Sequence, residues 1–247
     1  MHKFNSGGVE IAYQMAGEGA PIVLIHGFAS NARVNWWDTS WVRTLAEAGR
    51  RVITFDHRGH GASQKLYDSA LYPAAEMAED ARRLLDHLGI AEADVMGYSM
   101  GARVAAFLTI AHPARVRRAV FAGLASRMIT GVGGAEAIGQ ALEARSRDEV
   151  ADPAALAFRI FAEQTKSDLK ALAACIRSSR EKITAEELAE IRVPVLVVAG
   201  EKDDVAGDVG TLVKAIPGAK GVTLPNRNHM NAVGDRGYKD AVLAFLA

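Results

Sequence analysis

Short apolar runs alternate with stretches of helical spacing along most of the chain. Continuous apolar runs bounded by turn residues predict buried strands, and apolar residues three and four positions apart predict amphipathic helices. The predicted strands are 21–25, 51–55, 95–96, 119–122, 193–198 and 222–224, after an N-terminal hairpin over 4–13, and the predicted helices are 41–46, 77–88, 102–112 and 238–246. Strands that alternate with helices favour an α/β fold with a mostly parallel sheet and helices on both faces.

The alternation breaks after Leu124, and the next 65 or so residues show helical spacing without a convincing strand. The pattern therefore predicts a core domain formed by residues 1–125 and 191–247, interrupted by a helical insertion over 126–190. Such an insertion forms either a separate bundle or a lid over the sheet edge that carries the site. Insertions at strand ends favour the lid.

Charge and composition exclude several classes of function. The chain of 247 residues has 29 Lys and Arg against 29 Asp and Glu, so it has neither a basic field for nucleic acid nor an acidic tail. No apolar run approaches the roughly 18 residues of a membrane span. The single cysteine, Cys175, excludes an internal disulfide and fits a reducing compartment. We expect a cytoplasmic protein without nucleic-acid or membrane partners, and the oligomeric state is not predicted.

The segment Gly97-Tyr98-Ser99-Met100-Gly101 carries the strongest chemical signal. G-x-S-x-G between a predicted strand and a predicted helix is the pattern of a nucleophile elbow, a sharp turn that exposes the serine hydroxyl. The glycines are needed because the strand end and the helix start pack too closely for larger side chains. The same letters also fit a glycine-rich turn with an incidental serine, so the rest of the chain must supply the partners.

A serine nucleophile needs a base to take its proton and a carboxylate to orient that base. On this pattern the chain order is serine, acid, histidine, so the last two predicted strands should end in an acid and a histidine. His229 follows the last strand and is the predicted base. Glu201, Asp203 and Asp204 compete for the acid after strand 193–198, and Asp203 is favoured because its spacing from the strand end allows a tight turn.

Two backbone N–H groups are predicted to stabilise the oxyanion of a tetrahedral intermediate. One belongs to Met100, directly after the nucleophile, and the other to Phe28, in the loop after strand 21–25. The side chains predicted to line a substrate pocket, with core packing as the competing interpretation, are Trp36, Met128, Phe158 and Phe161.

These segments together resemble the α/β-hydrolase superfamily, specifically its esterase and epoxide-hydrolase-like branch. The matching segments are His26-Gly27-Phe28, Asp56-His57-Arg58-Gly59-His60-Gly61-Ala62-Ser63, the serine pentapeptide, Gly200-Glu201-Lys202-Asp203 and Asn228-His229. The resemblance implies that residues 126–190 form a cap domain over an acyl-binding pocket and that the Arg58 loop is structural. Epoxide hydrolases and haloalkane dehalogenases of this superfamily have aspartate at the position of Ser99, so the chain is not expected to be either.

The expectation is a carboxylesterase-type serine hydrolase that cleaves small carboxylic esters through an acyl-enzyme, without a metal or cofactor. The same three side chains would also serve a lactonase, a hydrolase of C–C bonds in 1,5-diketones, or a perhydrolase. A third class is non-enzymatic, a receptor that keeps the triad and binds a small ligand beneath its cap.

Overall fold

An eight-stranded sheet forms the centre of the computed structural model, which describes all 247 residues. The strands are β1 His2–Ser6, β2 Val9–Ala16, β3 Ala20–Ile25, β4 Arg50–Phe55, β5 Ala93–Tyr98, β6 Val116–Ala122, β7 Val195–Gly200 and β8 Lys220–Leu224. Their order in the sheet is β1-β2-β4-β3-β5-β6-β7-β8. The pairings of β2 with β1 and with β4 are antiparallel and all others are parallel. The predicted α/β fold with a mostly parallel sheet is confirmed.

Ten α-helices connect and cover these strands. They are α1 Trp41–Glu47, α2 Ala74–His87, α3 Met100–Ala111, α4 Arg127–Thr130, α5 Ala135–Glu143, α6 Pro153–Gln164, α7 Leu169–Ser178, α8 Ala185–Ala189, α9 Val209–Ala215 and α10 Arg236–Leu246. None of the helices is long and apolar enough to cross a membrane. Helix α9 and a π-helical segment over Arg33–Trp37 were not predicted, because elements of five to seven residues are too short to establish a hydrophobic period.

Each face of the sheet supports its own apolar layer. Side chains alternate between faces along a strand, so Val23 and Ile25 of β3 join the layer under α2 and α3, while Ile22 and Leu24 join the layer under α1 and α10. Both faces are therefore dry. This double burial explains why the strands appear in the sequence as unbroken apolar runs instead of alternating ones.

The chain between β6 and β7 forms helices α4 to α8, joined by turns and irregular segments, and contains no strand. Helix α5 packs against both α6 and α7. Arg159 of α6 ties these helices together, because its guanidinium donates to the backbone carbonyls of Ala141, Leu142 and Ala144 at the end of α5. Apolar side chains of α5 to α7, such as Ile138 and Leu172, belong to the same layer as α3. The inserted helices thus share one apolar cluster with α3.

Candidate active site

Ser99 occupies the tight turn between β5 and α3. Its backbone has φ 56° and ψ −116°, a conformation that costs a residue other than glycine of the order of 1–3 kcal/mol. The flanking glycines are sterically required. A Cβ at Gly97 would overlap the carbonyl of Gly101, and a Cβ at Gly101 would overlap the carbonyl of Ile25 at the end of β3. The close packing predicted for this pentapeptide is therefore present, and it raises the serine above the sheet edge.

Ser99, His229 and Asp203 form one hydrogen-bonded chain. Nε2 of His229 lies 3.0 Å from Oγ of Ser99, and Nδ1 of His229 lies 2.9 Å and 3.0 Å from the two carboxylate oxygens of Asp203. The Asp203 side chain is fully buried, whereas that of His229 is 16% exposed. The geometry leaves Nε2 as the acceptor of the serine proton and Nδ1–H as the donor to the acid.

The structure brings Asp203, and neither of its competitors, to His229. Asp204 points into solvent, and the carboxylate of Glu201 accepts from the N–H of Asn226 at 2.8 Å. The carboxylate of Asp203 is held by the turn that it begins, since Oδ1 also accepts from the N–H groups of Val205 and Ala206 at 3.0 Å and 2.9 Å. A buried carboxylate with three donors is fixed in position before a substrate arrives.

Tyr98 holds the loop that carries the histidine. Its hydroxyl donates to the backbone carbonyl of His229 at 2.6 Å, and its ring lies 5.5 Å from the imidazole, centroid to centroid. The side chain of Asn228 closes the same loop by accepting from the N–H groups of Met230 and Asn231. Sequence reasoning gave Tyr98 no role, because it stands at a variable position of the pentapeptide.

The backbone N–H groups of Phe28 and Met100 have no hydrogen-bond acceptor within the protein. The loop that carries Phe28 is anchored on both sides of it. The N–H of Gly27 donates to Oδ1 of Asn35 at 3.1 Å, and the hydroxyl of Thr165, just beyond α6, donates to the carbonyl of Ala29 at 2.9 Å. Ala29 has φ 58°, so the backbone turns sharply directly after Phe28. The two free N–H groups are in the state that an oxyanion site requires.

Three buried histidines lie behind this loop and face one another. The backbone N–H of His57 donates to Nε2 of His26 at 3.0 Å. The proton of His26 is therefore on Nδ1, which donates to the carbonyl of Gly27 at 2.8 Å. Burial lowers the pKa of His26 to about 4, and burial together with the nearby His26 lowers the pKa of His60 to about 3. His26 therefore shapes the loop as a neutral ring.

A cavity of about 690 Å³ opens beside Ser99, between the sheet edge and the inserted helices. Phe158 and Phe161 of α6 line it, as predicted from the sequence, and so do Phe28 and Met100. The ring of Phe158 lies 5.9 Å from that of Phe28, centroid to centroid. Most of the lining is apolar, which suits the hydrocarbon part of a small substrate.

Trp36 and Met128 do not line this cavity, so their interpretation as pocket residues is wrong. Trp36 is completely buried on the opposite face of the sheet, edge-on to Trp41 at a centroid distance of 6.4 Å. Met128, in the first helix of the insertion, is completely buried in the apolar cluster that contains α3. Proximity in sequence to the oxyanion loop or to the cap does not determine which side of an element a side chain faces. Both Trp36 and Met128 are buried in the core.

Sequence reasoning missed most of the residues that line the cavity, among them Asn35, Arg103, Arg180 and Met230. One signal was available for Arg103, because it lies four residues after Ser99 and therefore on the same face of α3. Asn35 belongs to the unpredicted π-helical segment, and its buried Nδ2 has no hydrogen-bond partner. The structure contains no group of three or more His, Cys, Asp or Glu side chains with the spacing of a metal site.

Residues 20–132 match the sequence profile of the alpha/beta hydrolase fold family. The chain is 38% identical over 120 residues to the 2-hydroxymuconate semialdehyde hydrolase of Pseudomonas sp. strain CF600, a match that covers 48% of this chain and 41% of that protein. It is 37% identical over 94 residues to the non-heme chloroperoxidase CPO-A1 of Kitasatospora aureofaciens, covering 38% of this chain and 32% of that protein. The matched part spans less than half the length of these curated relatives.

A solved structure extends the likeness to the whole chain. The crystal structure of a hydrolase from Pseudomonas aeruginosa PA01 superposes with a TM-score of 0.82 at 28% identity, covering 100% of this chain and 98% of that one. The sheet order, the strained serine turn and these similarities agree with one another. The chain has the fold of the α/β-hydrolase superfamily.

Proposed function

We propose that this protein is a serine hydrolase that cleaves small carboxylic esters through an acyl-enzyme intermediate. The observation that carries the proposal is the unbroken hydrogen-bonded chain from the buried Asp203 through His229 to Ser99. A serine hydroxyl is a weak nucleophile unless a base takes its proton, and this arrangement supplies the base and the group that orients it.

In the first half of the reaction, Oγ of Ser99 attacks the ester carbonyl while its proton passes to Nε2 of His229. The carbonyl oxygen becomes an oxyanion, which the free N–H groups of Phe28 and Met100 stabilise. Collapse of the tetrahedral intermediate breaks the ester bond, and His229 returns the proton to the departing alcohol. The acyl group then remains on Ser99.

In the second half, water attacks the acyl-enzyme. His229 takes a proton from the water, a second oxyanion forms at the same two N–H groups, and the carboxylic acid departs as the proton returns to Ser99. Asp203 stays ionised and stabilises the imidazolium in both halves. The inserted helices act as the cap domain over the acyl group, because Phe158 and Phe161 line the cavity beside Ser99.

Hydrolysis of para-nitrophenyl butyrate by the Ser99→Ala variant tests the proposal. Loss of the nucleophile should reduce kcat at least about a thousandfold, since the remaining groups can only orient water. Ser146→Ala is the matched control, because Ser146 is exposed on the cap and should leave turnover unchanged. Undiminished turnover in Ser99→Ala would contradict the proposal.

The likeness to the 2-hydroxymuconate semialdehyde hydrolase supports a second candidate, a C–C bond hydrolase that uses the same three residues. A panel containing simple esters, lactones and a vinylogous 1,5-diketone separates the activities by their kcat/KM values. We expect the ester to be turned over fastest, and a kcat/KM higher for the diketone or lactone would reassign the substrate while keeping the triad.

A further inference from the structure

The cavity beside Ser99 has an uncompensated positive charge. Its charged lining side chains are Arg103 and Arg180, and no Asp or Glu lines it. Neither arginine forms an ion pair with any carboxylate of the chain. Two guanidinium groups beside a mostly apolar cavity are costly to bury, and a bound anion would offset that cost.

Arg103 lies one helical turn beyond the nucleophile, where its N–H donates to the carbonyl of Ser99 at 3.3 Å. The Arg103 side chain is almost fully buried. Its guanidinium donates to the backbone carbonyls of Arg127, Met128 and Glu181, which account for three of its five N–H groups. These bonds hold the guanidinium in place and leave two N–H groups unused.

Arg180 follows α7 and is half-buried. A single guanidinium nitrogen makes all of its hydrogen bonds, to the carbonyls of Val132 at 3.2 Å and Gly133 at 3.4 Å. Three N–H groups of this side chain therefore remain without a partner. The nearest acid in sequence, Glu181, is used elsewhere, because its carboxylate accepts from the N–H of Ala74 at the start of α2.

Other buried arginines of the chain form ion pairs with carboxylates. Arg58, which is 2% exposed, is paired with Asp80 at 2.8 Å, and Arg159, which is 6% exposed, is paired with Glu163 at 2.5 Å. Arg103 is equally buried, at 2% exposed, and has no acid. Burial and the neighbouring Arg180 lower the pKa of Arg103 only to about 10, so it remains a cation at neutral pH.

We propose that Arg103 and Arg180 form a subsite for a carboxylate, so that the preferred substrate is an ester whose acyl chain ends in a free carboxylate. A planar guanidinium binds a carboxylate through paired N–H groups, and the two arginines have five unused N–H groups between them. Met100, Phe161 and Ile176 line the same cavity and suit a hydrocarbon spacer between the reacting carbonyl and the distal carboxylate. This subsite rests on the proposed esterase activity, because Ser99 defines the reacting end.

Paired substrates test the subsite. Para-nitrophenyl half-esters of straight-chain dicarboxylic acids are compared with para-nitrophenyl esters of monocarboxylic acids of the same chain length. The wild-type protein should have a kcat/KM about tenfold to hundredfold higher for the half-ester at the best length, as expected for charge-assisted hydrogen bonds to one buried and one half-buried arginine. A ratio of one or less at every length would overturn the subsite while leaving the esterase proposal intact.

Variants of Arg180 show whether this side chain causes the preference for the half-ester. Arg180→Met should bring the ratio of the two kcat/KM values close to one, mainly through KM, Arg180→Lys should keep part of it, and Arg180→Glu should invert it. Arg177→Met is the matched control, because Arg177 lies in the last turn of α7, three residues before Arg180, and is neutralised by Glu136 and Glu143 outside the cavity. An unchanged ratio in Arg180→Met would overturn the proposal.

A binding measurement separates the subsite from catalysis. The Ser99→Ala protein should bind a free dicarboxylate of the preferred length, measured by calorimetry, at least about tenfold more tightly than the matching monocarboxylate. This difference should disappear in Ser99→Ala combined with Arg180→Met. Equal affinities for the two acids in Ser99→Ala would contradict the subsite, whereas failure of the esterase proposal would show in turnover alone.

Discussion

The hydroxyl of Tyr98 donates a 2.6 Å hydrogen bond to the backbone carbonyl of His229, from the position directly before the nucleophile. Tyr98 thus fixes the position of the loop that carries His229 relative to Ser99. Burial raises the pKa of Tyr98 well above its ordinary value, so the phenol stays a donor throughout the working pH range.

Tyr98→Phe should therefore lower kcat for an ester by about tenfold, because the histidine loop loses a buried bond and the imidazole a fixed position. KM should change little, since the acyl side of the cavity is untouched. Tyr238→Phe is the control: Tyr238 is equally buried but its hydroxyl has no partner. Equal kcat values in the two variants would refute the positioning role.

Asp203→Asn should reduce kcat by about ten-thousandfold with the fold unchanged. The amide is nearly the same size as the carboxylate but favours the wrong imidazole tautomer and does not stabilise the imidazolium. Asp204→Asn, next in the chain and exposed, should retain full activity. Steady-state kinetics with circular dichroism of both proteins checks this, and the opposite ranking would assign the acid to Asp204.

The buried histidines predict a loss of stability in weak acid. Burial depresses the pKa of His26 and His60 in the folded protein, to about 4 and about 3, below the value near 6.5 of an unfolded chain. Between these values the unfolded chain binds more protons, so stability is complete above pH 6.5 and falls as the pH is lowered towards 4. Each ring contributes about 2 kcal/mol to the loss between pH 6.5 and pH 5.

Urea unfolding at pH 7.5 and pH 5 measures that difference. His60→Gln should lose less stability over this interval than the wild-type protein, because one buried ring no longer has to stay neutral. His2→Gln should lose as much as the wild type, since His2 is exposed. A free energy of unfolding that rises on acidification to pH 5 would reverse the sign and contradict the account.

Phe158 in the cavity and Trp36 in the sheet core should respond differently to truncation. Phe158→Ala enlarges the cavity and should raise kcat/KM for the octanoate ester relative to the butyrate ester by about tenfold, which corresponds to burial of about two of the four additional methylenes at about 0.8 kcal/mol each. Trp36→Phe should leave that ratio unchanged and lower the free energy of unfolding by about 1–2 kcal/mol. A change in chain-length preference in Trp36→Phe would show that Trp36 contributes to the substrate pocket.

The contrast between Phe158 and Trp36 shows which features the sequence predicts. The strands and the hydrogen-bonded group of Ser99, His229 and Asp203 were predictable from the sequence, because buried parallel strands are continuous apolar runs and because these three residues follow strand ends. The side that an aromatic residue faces depends on how helices pack after folding, and spacing alone does not encode it. Arg103 and Arg180, 77 positions apart in the numbering, line the same cavity because the inserted helices fold back towards α3.

Trapping the acyl-enzyme tests directly whether Ser99 is the nucleophile. The protein is quenched in acid during turnover of para-nitrophenyl butyrate, digested, and analysed by mass spectrometry. We expect a butyryl group on the peptide that contains Ser99, and we expect it to form at a strongly reduced rate in a His229→Ala variant. A butyryl group found on another residue, or full turnover with no covalent adduct under any quench condition, would contradict it.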